Sequence, residues 1–268
     1  RGDSAALADI ESELGALYLR RSDNAAHRRI LTGGAIHFDP DRALEDWRYA
    51  ENFITRQSTA VEDPGALDRH EAEDHYRAAL AARVGHESGA RGLLGMLYDA
   101  QRYEEYLIVA RSLARAQPAS GRAQLALGLG LVRVGQEREA AAAFDSALAM
   151  MSSAERHVVE NLSPILRRSD AELYENLSPE DRHEVERIYW AVSDPLRLTP
   201  VNEHRLEHLA RVAYADLRYT APDLRLRGWE TDRGVIYIRY GPPPVVASFP
   251  ATTEVSARIE QAGMITTV

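Results

Sequence analysis

Residues 121–150 read GRAQLALGLGLVRVGQEREAAAAFDSALAM, and their pattern decides the fold. Leu127-Gly128-x-x-Leu131 repeats at helical spacing, and a second run follows through Ala140, Phe144, Ala147 and Leu148. Gly135 stands between the two runs, and the Ala140–Ala143 stretch favours helix by propensity. Two helices joined by a short turn are therefore predicted. Working outward, Leu94-Gly95-x-x-Tyr98 lies 33 residues earlier. It is followed by Tyr103, Tyr106, Ala110, Leu113, Ala114 and Pro118 at the offsets of a second helix, with a loop one residue shorter. Ala72, Tyr76, Ala79 and Leu80 carry the second-helix pattern again, and Leu14-Gly15-x-x-Tyr18 the first-helix pattern. Leu7, Ile10, Leu14 and Leu17 also keep helical spacing.

The pattern resembles the tetratricopeptide repeat (TPR), a helix–turn–helix unit of about 34 residues. Small residues let paired helices approach closely, and the aromatic fills the gap to the next pair. Residues 1–150 are expected to form a TPR-like array, clearest over 88–118 and 121–150, with an insertion around Thr32–Pro40. The resemblance implies a concave groove lined by the first helix of each pair. Gly92, Met96 and Asp99 would line it in one repeat, and Arg122, Leu125, Leu129, Val132 and Arg133 in the next. The alternative is that Leu125 and Leu129 pack on the neighbouring repeat.

Composition narrows the chemistry. The 268 residues are 45% apolar and 27% charged, with a net charge of -9. Cysteine and lysine are both absent, so all 32 basic residues are arginine. No thiol chemistry, Walker-A lysine or Schiff-base lysine is available within the chain. The acidic balance argues against a dedicated nucleic-acid binder, and no apolar run reaches the length of a membrane span.

After residue 150 the repeat fades while helices continue. Residues 151–184 read as connecting helices. Ser178-Pro179-Glu180-Asp181 is a helix start, with a hydroxyl cap, a first-turn proline and early acids. Thr199-Pro200-Val201-Asn202-Glu203 is a second start, leading to a helix through about Leu217. Gly228–Gly234 reads as a turn, and Val235–Tyr240 as the clearest strand in the chain. Gly241-Pro242-Pro243-Pro244 would stop it, with Val245–Phe249 a short second strand.

This C-terminal stretch resembles the bacterial GWxTD domain family. The naming motif stands as Gly228-Trp229-Glu230-Thr231-Asp232. Tyr189-Trp190, Asp194-Pro195, Thr199-Pro200, Asn202-Glu203 and Arg211-Val212-x-Tyr214-Ala215 match its preamble. Asp232-Arg233-Gly234-x-Ile236-Tyr237-Ile238-x-Tyr240-Gly241-Pro242-Pro243 matches its core. The resemblance covers residues 185–245. It implies a small α+β domain with a short sheet over 185–268, after a mainly α array. It names a domain rather than a reaction, since the family has no established enzymatic activity. The family continues with further strands past the proline turn, and no clear equivalent stands here, so the sheet is expected to be incomplete or completed by another chain. Gly228, Trp229, Thr231, Asp232, Arg233, Gly234, Tyr237, Gly241 and Pro242 are the motif residues. Gly228 and Gly234 are expected to supply backbone angles closed to other residues. Thr231 and Asp232 would fix the turn, Trp229 would cover the helix–sheet junction, and Arg233 would pair with Asp232 or a helix end.

One enzymatic motif competes. His204-Arg205-Leu206-Glu207-His208 matches the inverted zinc-peptidase pattern, with two histidines one helical turn apart and a glutamate base. His70 and His75 are five apart and do not share a helical face. His157-x-x-Glu160 and the Arg1-Gly2-Asp3 tripeptide carry little.

The expected function is a non-enzymatic protein–protein scaffold or adaptor without a cofactor. It would be a membrane-extrinsic subunit of a bacterial envelope assembly, partnered by other proteins and not by nucleic acid. One concrete form is a subunit bracing a photosynthetic reaction centre–antenna complex, although no residue argues for pigment binding. The expected location is periplasmic, in keeping with a processed product opening on Arg1. Two alternatives stand beside it: a zinc hydrolase centred on His204, Glu207 and His208, and a cytoplasmic TPR regulator.

Overall fold

A computed structural model describes residues 2–32, 65–194 and 201–242. These residues are mainly helical. The α-helices are α1 (Gly2–Thr32), α2 (Ala66–Ala82), α3 (Glu87–Asp99), α4 (Tyr103–Ala116), α5 (Gly121–Arg133), α6 (Glu137–Met150), α7 (Ser153–Glu160), α8 (Arg168–Glu175), α9 (Pro179–Ser193), α10 (Glu203–Tyr219) and α11 (Asp232–Tyr240). The larger of two compact units holds the described residues of 1–13 and 75–244, and the smaller those of 14–74. In the smaller unit the Arg21 Nε donates to Asp68 at 2.8 Å, and the Arg69 guanidinium donates to the Ser22 hydroxyl at 3.0 Å.

The helix pairs of the larger unit are built on one register. α3 and α5 begin at residues 87 and 121, and α4 and α6 at 103 and 137; each later start falls 34 positions on. The period is therefore 34 rather than 33, and the loops are equal in length. The turns close identically. The amides of Ala100, Gln101 and Arg102 donate to the carbonyls of Met96, Tyr98 and Leu97. Those of Val134, Gly135 and Gln136 donate to Gly130, Val132 and Leu131. Both turns pass through the left-handed region, at Gln101 (φ 57°) and Gly135 (φ 76°). Equivalent positions also cap the first helices. His86 accepts from the Gly89 amide, and Ser120 from the Ala123 amide.

The core follows the same register. Tyr106 and Ala140 are fully buried, as are Ala110 and Phe144. The Phe144 ring lies against Gly128, where a Cβ would sit 2.5 Å from it; the Tyr106 ring lies 2.8 Å from the corresponding point on Gly130. Glycine there is a matter of close helix approach, because an added methyl group overlaps a core ring. The N-terminal end of α1 is tied to this core through Glu11 with His75 (2.6 Å) and Asp9 with His86 (2.9 Å).

The C-terminal segment packs onto these pairs. α10 lies along α5 and also meets α3, α6 and α11. Its N-cap is Asn202, whose Oδ1 accepts from the Arg205 amide at 2.8 Å, and it runs to Tyr219. Arg205 pairs with Asp145 (3.1 Å) and Arg218 with Asp99 (3.2 Å). A tyrosine cluster fills the junction: Tyr214 stacks on Tyr237 at 4.2 Å, and Tyr98 meets Tyr214 at 4.9 Å. Ser178 caps α9 as expected, accepting from the Asp181 amide at 3.1 Å.

The expected strand at Val235–Tyr240 is instead α11. Thr231 is its N-cap, its hydroxyl accepting from the Gly234 amide at 3.1 Å. Gly234, Tyr237, Ile238 and Gly241 form its buried side, a spacing of three, four and seven. Val235 and Ile236 stay exposed, so tertiary packing and the cap override β-propensity. Among the described residues there is no strand, and the single β-pairing is the isolated bridge between Ala221 and Leu226. The expected second strand at Val245–Phe249 and the Thr199-Pro200 helix start lie outside the described residues.

Candidate functional site

The motif residues meet at the end of α10. A 3-10 turn over Gly228–Glu230 brings Gly228 against the α10 backbone, with a Cβ built there only 1.8 Å from the Ala215 carbonyl oxygen. The Gly228 amide donates to the Thr220 hydroxyl at 3.1 Å, and its carbonyl accepts from the Thr231 hydroxyl at 2.8 Å. Gly234 is held as closely, a Cβ there falling 1.8 Å from the Gly228 carbonyl oxygen. Neither glycine has a positive φ: close approach to backbone selects them, not the backbone freedom the sequence suggested. Gly241 does have that freedom, at φ 77°. Trp229 is buried, with the Arg227 guanidinium over its ring at 4.1 Å. It covers a helix–helix junction instead of a helix–sheet one. Asp232 and Arg233 are exposed in the first turn of α11, and Pro242 is exposed beyond its end.

The charge centre is a residue pair that sequence reading missed. Asp216 on α10 is 7% exposed and accepts from Arg227 Nε and Nη2 at 2.8 and 2.9 Å. Arg227 also donates to Glu155 at 3.0 Å, and Arg122 Nε lies 3.7 Å from Asp216. Arg122 and Arg91 converge on Glu87. Burial works to raise the Glu87 pKa, but the Arg122 and Arg91 guanidiniums hold it below the usual carboxylate range.

The expected groove residues are distributed over this network. Asp99 pairs with Arg218 of α10, Arg122 with Glu87, and Arg133 donates to the Tyr98 hydroxyl at 2.7 Å. Leu125 and Leu129 are buried, while Gly92, Met96 and Val132 are half-buried. Helix α10 of the same chain lies along the α5 helix that carries five of the named groove residues.

Of the two histidines of the zinc-like motif, His204 is exposed, with the Trp190 ring 5.8 Å from it. His208 is buried, its Nε2 3.0 Å from the Val159 carbonyl oxygen, so Nε2 carries the proton. Its Nδ1 is buried without a partner, and the Trp190 ring lies 5.1 Å away. Glu207 accepts from Arg211 at 2.8 Å. Among the described residues no three His, Asp or Glu side chains are grouped to hold a metal ion.

Burial pushes the His208 pKa down to about 4, with the Val159 carbonyl opposing and His204, Arg205 and Arg211 adding repulsion. An unfolded histidine titrates near 6.5. Above that pH both states are neutral and the full stability is present. Between about 6.5 and 4 the unfolded chain takes up a proton that the folded chain refuses, so stability falls with acidification. The loss is expected to reach roughly 3 kcal/mol by pH 4. His208→Gln, which keeps an N–H donor and does not titrate, should lack this component. Urea unfolding at pH 7.5 and 4.5 measures it: equal acid sensitivity in the two proteins contradicts the assignment.

No family model matches the sequence, and no curated protein or solved structure matches it.

Proposed function

We propose that the chain is a non-enzymatic scaffold or adaptor, a membrane-extrinsic subunit of a bacterial envelope assembly built from TPR-like helix pairs and a GWxTD-like segment. The supporting observation is an apolar stripe on α9. Val185, Ile188 and Val192 follow helical spacing and are 37%, 45% and 67% exposed. Solvent-facing apolar residues in a continuous stripe suit partner contact better than isolated ones do. Trp229, Thr231 and Tyr237 of the motif are engaged within the chain, which suits a structural role for it. No described helix is long and apolar enough to cross a membrane, in keeping with an extrinsic position.

The test is co-purification from solubilised native membranes with the wild-type chain and with Ile188→Asp/Val192→Asp. Wild type is expected to bring down a defined set of subunits, and the variant to lose them while keeping its helical content. A wild-type chain that stays monomeric and captures nothing contradicts the reading.

A further inference from the structure

A cleft of about 180 Å³ opens where the 220–227 loop faces α3 and α5. Its charged lining is Arg91, Arg122, Arg225 and Arg227, and no carboxylate lines it. Pro222 and Leu226 complete an apolar part of the wall. Glu87 and Asp216, which pair with these arginines, border a neighbouring cavity of about 40 Å³ that shares Arg91 and Arg122. The acids thus grip the guanidiniums from one side and leave arginines as the charged residues that line the cleft.

The donors are not exhausted. Each guanidinium carries five N–H groups. Arg91 gives Nη2 to Glu87, and Arg122 gives Nη1 to Glu87 with Nε 3.7 Å from Asp216. Arg225 is different again: among the described residues its guanidinium makes no hydrogen bond or ion pair. Its backbone sits in the left-handed region at φ 56°, where a side chain is disfavoured, closing the short turn over Pro222–Leu224. Glu87, Asp216 and Glu155 pair with the other guanidiniums and Glu230 accepts from the Arg227 backbone amide, but none of these carboxylates lines the cleft.

We propose that this cleft binds a phosphate group, with Arg225 as its uncommitted anchor. Forks arriving from two helices and a loop suit a tetrahedral oxyanion, since guanidinium presents paired donors to phosphate oxygens. The Thr220 hydroxyl at the wall already donates to the Asp216 carbonyl at 2.5 Å and accepts from the Gly228 amide, so recognition falls to the arginines. The proposal stands apart from the scaffold reading and does not use the α9 stripe.

The experiment titrates inorganic phosphate into the full chain at constant ionic strength, followed by calorimetry and thermal unfolding. A rise in the unfolding midpoint of about 5 °C or more is expected at a hundredfold excess over Kd, with no rise from chloride. Arg225→Ala should weaken phosphate binding at least tenfold while leaving the phosphate-free midpoint unchanged, because Arg225 has no internal partner. Phosphatidylcholine vesicles with and without phosphatidic acid identify the source. Sedimentation with phosphatidic acid, competed by inorganic phosphate, assigns a headgroup; phosphate binding without sedimentation assigns a soluble phosphate. Absence of a phosphate-specific shift overturns the proposal, as does equal affinity in the Arg225→Ala chain.

Discussion

Gly228→Ala should destabilise the chain by about 4 kcal/mol or more, the range reached only by a few severe mechanisms. The methyl carbon would lie 1.8 Å from the Ala215 carbonyl oxygen and 2.6 Å from the Asp216 Cα. Both obstacles are backbone within α10, so no rotamer change relieves them. The turn cannot slide away either, because its amide is fixed by Thr220 and its carbonyl by Thr231. Relief requires the 3-10 turn to leave α10, taking Trp229 and Arg227 from their contacts. Two other glycines calibrate the result. Gly95→Ala, where the nearest atom is the Arg218 guanidinium at 3.9 Å, should be neutral or stabilising by up to about 1 kcal/mol, as expected within a helix. Gly135→Ala has open space but φ 76°, and should cost about 1 kcal/mol from backbone strain alone. Urea unfolding of the three variants orders them. A Gly228→Ala protein as stable as Gly135→Ala would show that the close approach to α10 is not a constraint.

The helix pairs were legible because their register is carried by many residues at once. Tyr106 with Ala140 and Ala110 with Phe144 exchange size while keeping position, and a periodic pattern survives such swaps. Pairing Leu94-Gly95 with Leu127-Gly128 gives a spacing of 33, whereas the helix bounds pair Leu94 with Gly128 at 34. The helix at 232–240 was misread because Val235-Ile236-Tyr237-Ile238 is rich in strand formers. A contrary signal was present: Thr231 followed by Asp232 is a cap with an acid in the first turn, and 234, 237, 238 and 241 keep helical spacing. The close approach at Gly228 and Gly234 was not legible, since a steric contact with another helix leaves no local trace. The charge centre was invisible for a different reason. Asp216 and Arg227 are separated by a loop, in a chain with 32 arginines and 41 acids, and pattern alone does not select that pair among so many combinations.

That pair supports the other large expected effect. Asp216→Asn preserves shape and removes one charge, and it should cost about 3 kcal/mol. In the wild-type chain one carboxylate accepts two N–H bonds from Arg227, faces Arg122 and lies 3.0 Å from the Thr220 hydroxyl oxygen. The variant leaves Arg227, 20% exposed, with Glu155 as its remaining ion partner among the described residues, and turns an amide N–H₂ toward donors that need an acceptor. Removing one partner of a buried pair costs more than the pair contributes, because the remaining charge stays desolvated. The turn should stay seated, since the Thr220 hydroxyl that accepts from the Gly228 amide donates to the Asp216 backbone carbonyl, which the substitution leaves in place. A double cycle separates the contributions. Arg227→Met alone should cost less than Asp216→Asn, because it removes the cation and leaves an acid that still faces Arg122. The double variant should cost clearly less than the sum, with a coupling of about 1–3 kcal/mol. Additive losses in urea unfolding would mean that Asp216 and Arg227 act separately, and that the hydrogen bonds of Thr220 and Thr231, not the ion pair, hold the Gly228–Glu230 turn against α10.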